Sequence, residues 1–505
     1  MSVIKRLQRL TGEAAVSPGE VHAPNGSGTG VGESPRAAEI SELRQRIDAV
    51  LSRRPENRKE MSRAPFCGPV LSLEACVPGD EITTAAGCLF CAESVWGVSH
   101  YHGCRCIGDF SPLDMMLVST LANDGALAGL DYTRGIFLDT ETTGLSGGTG
   151  TVAFLIGLGW FEGSRFVMKQ LFMRDYSEER AALMFLQELV QDRQFLVTFN
   201  GKAFDVNLLT ARFILNRIAD PLSGLPHLDL LHPARRLLRH RLENVRLGTI
   251  EGALLALERE GDVPGYEIPQ RYFDWLKSRD GHLMADVFLH NRLDVMSMAA
   301  LTAHLTEMIA AESTGHAPRP PRDLLAAARL LMHRGEMVGA RRMLTELRSA
   351  SCPVTARQSR QLLSLIHKRA GEWPQAVEIW EDMVAQDQAD VFPLVELAKW
   401  HEHRNRDYAQ ALNLARLALH VLPPPARETR HLRNSRLSHS GFDLPPVLHP
   451  RLREDWLDKA ESGNNLKILD SAHVFAGIKR RDEDREALQR RIARLERRLA
   501  KEAFP

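Results

Sequence analysis

The pattern of apolar and polar positions changes character three times along the chain. Val3, Ile4, Leu7 and Leu10 share one helical face, and Ile40, Leu43, Ile47, Val50 and Leu51 share another over 37–54. These predict two docking helices on a leader, residues 1–63, in which the Gly/Pro/Ser-rich stretch 17–35 has too few large apolar side chains to order itself. Residues 64–131 read as short strands and turns, a small β-rich subdomain. From Arg134 apolar runs at 135–139, 152–161 and 166–172 predict three strands, the last two joined by Glu162-Gly163-Ser164. Leu183, Leu186, Leu189 and Val190 predict a helix over 178–191, with Ser177 as its cap. A buried-type strand at 195–199 and helices at 204–218 and 286–305 follow. This order predicts an α/β domain over 132–312, a mixed sheet flanked by helices.

After Arg322 the strand patterns stop. Gly335-Glu336…Ala340, Gly371-Glu372…Ala376 and Arg406-Asp407…Ala411 recur at spacings of 36 and 35 residues, which predicts an all-α helical-repeat domain over 322–422. In the remaining 423–505, Pro423–Pro450 reads as loop. Leu488, Ile492, Leu495 and Leu499 mark one face of a charged helix over 482–499, too short for an independent coiled coil and suited to docking.

Composition narrows the class. A chain of 505 residues exceeds the roughly 250–300 at which single cores stop growing. Apolar residues at 44% and charged residues at 25% are ordinary for a globular protein. Lys plus Arg and Asp plus Glu are 64 each, so attraction to a polyanion must come from local asymmetry. The longest apolar run, 151–161, is too short to span a bilayer, and the basic amino end lacks a secretory core; no membrane partner and a cytoplasmic location are expected. Seven cysteines, an odd number, point to free thiols. Cys88 and Cys91, followed by His100, His102, Cys104 and Cys106, have the residue types of a zinc site. Their second half is compressed, however, and Leu89 and Phe90 suit a buried strand better than a metal knuckle, so zinc is not expected there.

The chemistry concentrates at three points. Asp139 and Glu141 are two apart at the end of a predicted strand, so both project from one face, where two anions call for a counter-charge such as a hard divalent cation. Asp205 falls in the first turn of a helix, where the dipole favours an anion. His290 and Asp294 are four apart and share a helix face. Singly, each is explained as well by a solvated strand end, a helix start or a surface pair. Gly144–Gly150 lacks the G-K-[ST] ending of a phosphate loop. Arg235, Arg236, Arg239, Arg241 and Arg246 form a basic helix face that suits phosphates or solvent alike.

In order, Asp139-Thr140-Glu141-Thr142-Thr143-Gly144, Asn200-Gly201-Lys202-Ala203-Phe204-Asp205 and His290-Asn291-Arg292-Leu293-Asp294 resemble the three exonuclease motifs of the DEDD (DnaQ-like) superfamily on a ribonuclease H-like fold. More narrowly, 130–305 resembles the YprB-like group of predicted exonucleases, including the run from His227 to Arg236. The resemblance implies a two-metal phosphodiesterase with Asp139, Glu141, Asp205 and Asp294 as catalytic ligands of two Mg²⁺ or Mn²⁺ ions. Asp139 would bridge both ions, Glu141 and Asp294 would hold the one that activates water, and Asp205 would face the other. Asp229 would orient ligands or substrate, and Thr140, Thr142, Gly144, Asn200, Lys202, Arg235 and Arg236 would line the substrate path. The family's general base is a Tyr four residues before the last Asp or a His five before it; here His290 stands four before. It is either the base, a partner that orients Asp294, or a surface residue. The carboxy-terminal repeats resemble tetratricopeptide repeats and imply a protein partner. The expected activity is 3′→5′ exonucleolytic hydrolysis at a single-stranded DNA or RNA end. Its rival is an inactive ribonuclease H-like scaffold that binds nucleic acid or protein.

Overall fold

The computed structural model describes residues 70–503, apart from 111, 145–149, 260, 311–318, 387–389 and 423–470. The expected leader helices, the 17–35 stretch and the 423–450 loop lie outside the described residues. α1 (Leu73–Cys76) leads into β1 (Asp80–Thr84) and β2 (Gly87–Gly97), then a hairpin of β3 (Tyr101–His102) and β4 (Arg105–Cys106), and α2 (Met115–Ala122). Next come β5 (Gly135–Thr142), β6 (Ala153–Glu162), β7 (Arg165–Phe172), α3 (Glu179–Val190), β8 (Phe195–Thr198), α4 (Asp205–Leu215), β9 (His227–Asp229) and α5 (Leu231–Leu238). α6 (Leu247–Ile250), α7 (Ile268–Ser278) and the 28-residue α8 (His282–Ile309) complete this part.

Seven strands form one mixed sheet in the order β1-β2-β7-β6-β5-β8-β9. Pairs from β1 to β5 are antiparallel, and β8 and β9 run parallel to β5. The 64–131 stretch, expected as a subdomain of its own, thus contributes β1 and β2 to the central sheet. The cause lies in β2, where Leu89, Phe90, Cys91 and Ala92 are all buried and so need cover on both faces. Cys91, once a zinc candidate, is part of that interior, and burial pushes its thiol up to about 11.

Side chains alternate across β5 and set the two layers. Ile136 and Leu138 pack with Leu183 and Leu186 of α3 and Leu209 and Phe213 of α4, while Phe137 faces the opposite core with Val295 and Met298 of α8. Ser177 is not the cap of α3. It lies in a 3₁₀ turn, Tyr176–Glu178, whose cap is Asp175, and its own N–H is donated to the Asp175 carboxylate at 3.0 Å.

The carboxy-terminal part is all helix: α9 (Pro321–Arg334), α10 (Met337–Glu346), α11 (Pro353–Arg369), α12 (Trp373–Gln386), α13 (Val391–Trp400), α14 (Tyr408–Val421) and α15 (Ser471–Ala503). The spaced motif has a clear local meaning. Gly335, Gly371 and Arg406 each take positive φ, at 87°, 77° and 55°, ending one helix before the next begins. Ala340, Ala376 and Ala411 are then buried to 0% exposure, small enough for neighbouring helices to close on them. On α15, Leu488 packs with Leu394 and Ala398, and Leu495 with Ala411, so the charged helix does dock. One apolar core runs from Phe137 and Val197 through α8 to Leu324, Leu344 and Ile379. Among the described residues, no helix is long and apolar enough to cross a membrane.

Candidate active site

β5 carries Asp139 and Glu141 past Phe137 on the face covered by α8. Asp139 pairs with Gly157 across the β5–β6 ladder. A Cβ at residue 157 would lie 2.2 Å from Asn291 Oδ1, so glycine there lets α8 settle onto the sheet. Asn291, fully buried, then donates from Nδ2 to Asp139 Oδ2 at 2.8 Å, while its Oδ1 accepts from Gln170 Nε2 at 2.9 Å. The amide holds one carboxylate oxygen in a set direction.

β8 ends in a turn that delivers the third acid. Asn200 takes φ 71°, and Gly201 sits where a Cβ would come within 2.5 Å of the Thr198 side chain. Asp229, at the end of β9, accepts the backbone N–H groups of Asn200 at 2.8 Å, Lys202 at 3.0 Å and Leu231 at 3.1 Å. Its carboxylate is therefore engaged in shaping the turn rather than free to face a substrate. The turn starts α4 with Asp205, buried and accepting a hydrogen bond from Thr140 Oγ1. Thr140 and Thr142, expected along the substrate path, also spend their hydroxyls internally: Thr142 Oγ1 donates to the Gly144 carbonyl at 2.9 Å.

On α8, His290 Nε2 lies 3.9 Å from Glu141 Oε1 and 3.7 Å from Asp294 Oδ2. Its Nδ1 lies 2.8 Å from Asp262 Oδ1. A carboxylate only accepts, so Nδ1 carries a hydrogen towards Asp262, and the Nε2 edge of the ring is turned towards Glu141 and Asp294. His290 is only 15% exposed, so it is not a surface residue; its ring stands among Asp262, Glu141 and Asp294.

Three residues of this network were not anticipated from the sequence. Arg259 bonds Asp294 Oδ1 at 2.5 Å, Asp262 Oδ2 at 3.2 Å and both oxygens of the buried Glu251, with Nε at 2.7 Å from Oε2. They come from the irregular connection between α6 and α7, where a π-turn (Glu251–Leu255) and a left-handed Ala256 leave no periodicity to read. Asn291 lay inside the quoted His290–Asp294 motif, but its role shows only through Gly157.

The electrostatics tie the acids together. Burial, and then the charges of Asp294 and Asp205, push the Asp139 carboxyl well above its ordinary range, against the pull of Asn291 and Arg259. Burial and the charges of Asp139, Asp294, Asp205 and Asp262 do the same to Glu141. Burial pushes Asp205 up to about 6, opposed by the Thr140 hydrogen bond. Burial pulls the Arg259 guanidinium down, but Asp294 and Glu251 outweigh it and the net direction is up. Four acids from three distant segments therefore feel one another's charge in a corner only partly closed to solvent, the Glu141 and Asp294 side chains being 12% and 18% exposed. Among the described residues, no three His, Cys, Asp or Glu side chains stand in a ready-made metal cage. Asn291 holds an oxygen of Asp139, Thr140 one of Asp205 and Arg259 one of Asp294. As a donor set the corner fits a hard divalent cation, since its ligands are carboxylates short of positive charge.

Residues 136–306 match the RNase H superfamily. Over 360 residues the chain is 35% identical to the "Uncharacterized protein YprB" of Bacillus subtilis (strain 168), an alignment covering 68% of this chain and 84% of that protein. The chain belongs to the YprB family. The matched domain spans β5 to α8 and holds all four acids, so the ribonuclease H-like fold positions them in this YprB-family chain. Lys202 is exposed beside the turn, whereas Arg235 and Arg236 sit on the exposed side of α5. Arg236 lines a cavity of about 270 Å³ with Arg322 and Arg329 of α9, and none of the four acids is among the residues lining it.

Proposed function

We propose that this YprB-family protein is a metal-dependent nuclease that removes nucleotides from the 3′ end of single-stranded DNA or RNA. The observation that supports the reading is the meeting of Asp139 and Glu141 of β5 with Asp205, bonded by Thr140 of the same strand, and with Asp294, which flanks the His290 ring together with Glu141. These four would hold two Mg²⁺ or Mn²⁺ ions, which when bound supply Lewis-acid stabilisation of phosphoryl charge. The rest belongs to the chain. Asn291 and Thr140 fix oxygens of Asp139 and Asp205, and Asp262 holds His290 so that Nε2 accepts the proton of the attacking water. Arg259 braces Asp294 and Asp262 together. The carboxy-terminal helices, read as tetratricopeptide-like repeats, would bind a protein partner.

A second reading, an inactive scaffold, is favoured by one contact: Arg259 supplies an internal cation to Asp294, as a protein without metal would need. Pure protein incubated with 5′-labelled single-stranded DNA or RNA, with Mn²⁺ or EDTA, separates the two. The nuclease reading expects a Mn²⁺-dependent ladder shortened from the 3′ end, abolished in Asp139→Ala and slowed about 10²–10⁴-fold in His290→Ala. Products that are absent, or identical in Asp139→Ala, favour the scaffold.

A further inference from the structure

Arg292 sits between His290 and Asp294 in sequence yet faces away from them, into a groove of about 600 Å³. The groove runs between α8, the end of β2 and the β3–β4 hairpin, within the roughly 300–1,000 Å³ usual for ligand sites. Arg292 is half-buried and, among the described residues, has no hydrogen-bond or carboxylate partner. No Asp or Glu lines the groove. Its walls are aromatic and apolar: Trp96, tilted against His100 with ring centroids 5.8 Å apart, Tyr101, which is 67% exposed, and Leu289, which is 41% exposed. A lone guanidinium in a groove without acids suits a phosphate, and an exposed tyrosine beside it suits a base.

The groove adjoins the acids through shared parts. His102, on its floor, bonds Ser297 of α8 at 2.7 Å and feels the charge of Arg259, the same guanidinium that holds Asp294. Leu257, two residues before Arg259, is part of the wall. The helix that presents His290 and Asp294 to the site therefore presents Arg292 to the groove.

We infer that this groove is a binding track for single-stranded nucleic acid, with Arg292 on a backbone phosphate and Tyr101 stacked on a base. The choice of ligand rests on the proposed nuclease function, but the track can be tested without catalysis. The test is fluorescence anisotropy of the full chain with labelled (dT)20 and (rU)20, in EDTA so that no cleavage occurs, over a range of salt. Arg292→Ala should weaken binding about 10-fold and flatten the logarithmic salt slope by about 0.7, the share of one single-strand phosphate contact. Tyr101→Ala, at an exposed position that cannot unsettle the fold, should weaken it about 5-fold or more with an unchanged slope. Affinities within two-fold of wild type for both variants overturn the inference and leave the groove to a protein occupant. Mn²⁺-dependent cleavage by the wild type alongside unchanged variant affinities would sink the track and spare the nuclease reading; weakened variants without any cleavage would do the reverse.

Discussion

Asp205 shows at the scale of one residue what crowding of like charges costs. Its folded-state pKa of about 6 exceeds the value of about 3.9 for an unfolded Asp. Between those values the folded state binds the proton more tightly, so this contribution to stability is fully present below about pH 4 and lost as pH rises through about 6. Asp139 and Glu141 shift in the same direction. His102, His227 and His304 act oppositely, because burial pulls each down to about 4 and stability then rises as pH climbs towards their unfolded value near 6.5. The wild-type profile mixes both effects, and Asp205→Asn, which keeps an acceptor for Thr140, separates them. In EDTA, the melting temperature of the variant relative to wild type should rise from pH 4.5 to about 6.5 and then level off, by an amount equivalent to about 2 kcal/mol. A difference independent of pH would mean that Asp205 is not held in a repulsive site.

At the scale of elements, the β6–α8 contact decides where Asp139 points. Gly157→Ala places a Cβ 2.2 Å from Asn291 Oδ1, and relief requires moving the amide off Asp139 or α8 off the sheet. Urea unfolding should show a loss of about 1–3 kcal/mol, and metal-dependent cleavage should fall with it. The elements themselves were largely legible in the sequence. Strong periodicity marked β5 to β8 and α8, and the 36- and 35-residue recurrence marked the all-helical part, though it did not show that Gly335 and Gly371 end helices there. What escaped was β9, three residues long, and the union of β1 and β2 with the central sheet, because pairing partners are set by packing that a single strand does not encode. Asp139, Glu141, Asp205 and Asp294 could be picked out by type and order. Arg259 and Asp262 could not, since the segment between α6 and α7 has neither helical nor strand period. Asp229 could be picked out as a residue that orients others, but residue type alone does not show that it does so through the backbone N–H groups of Asn200, Lys202 and Leu231.

Over the whole molecule, the sheet and the carboxy-terminal helices share one core. His240 and Arg241, just past α5, pair with Asp323 of α9 at 2.8 and 3.1 Å, and Leu237 and Leu238 lie in the same apolar cluster as Leu324 and Leu325. A chain ended at residue 312 should therefore melt well below the full chain, with an apolar face bared where α9 had packed; calorimetry showing equal melting temperatures would mean that the two parts are energetically independent. The proposed activity depends on the four acids acting together towards a cation. Calorimetric titration of the full chain with Mn²⁺ at pH 7.5 measures that without reference to any substrate. It should give saturable binding of one to two ions per chain, abolished in Asp139→Ala and weakened at least 10-fold in Asp294→Asn. No saturable binding up to millimolar Mn²⁺, or binding that survives Asp139→Ala unchanged, would contradict it.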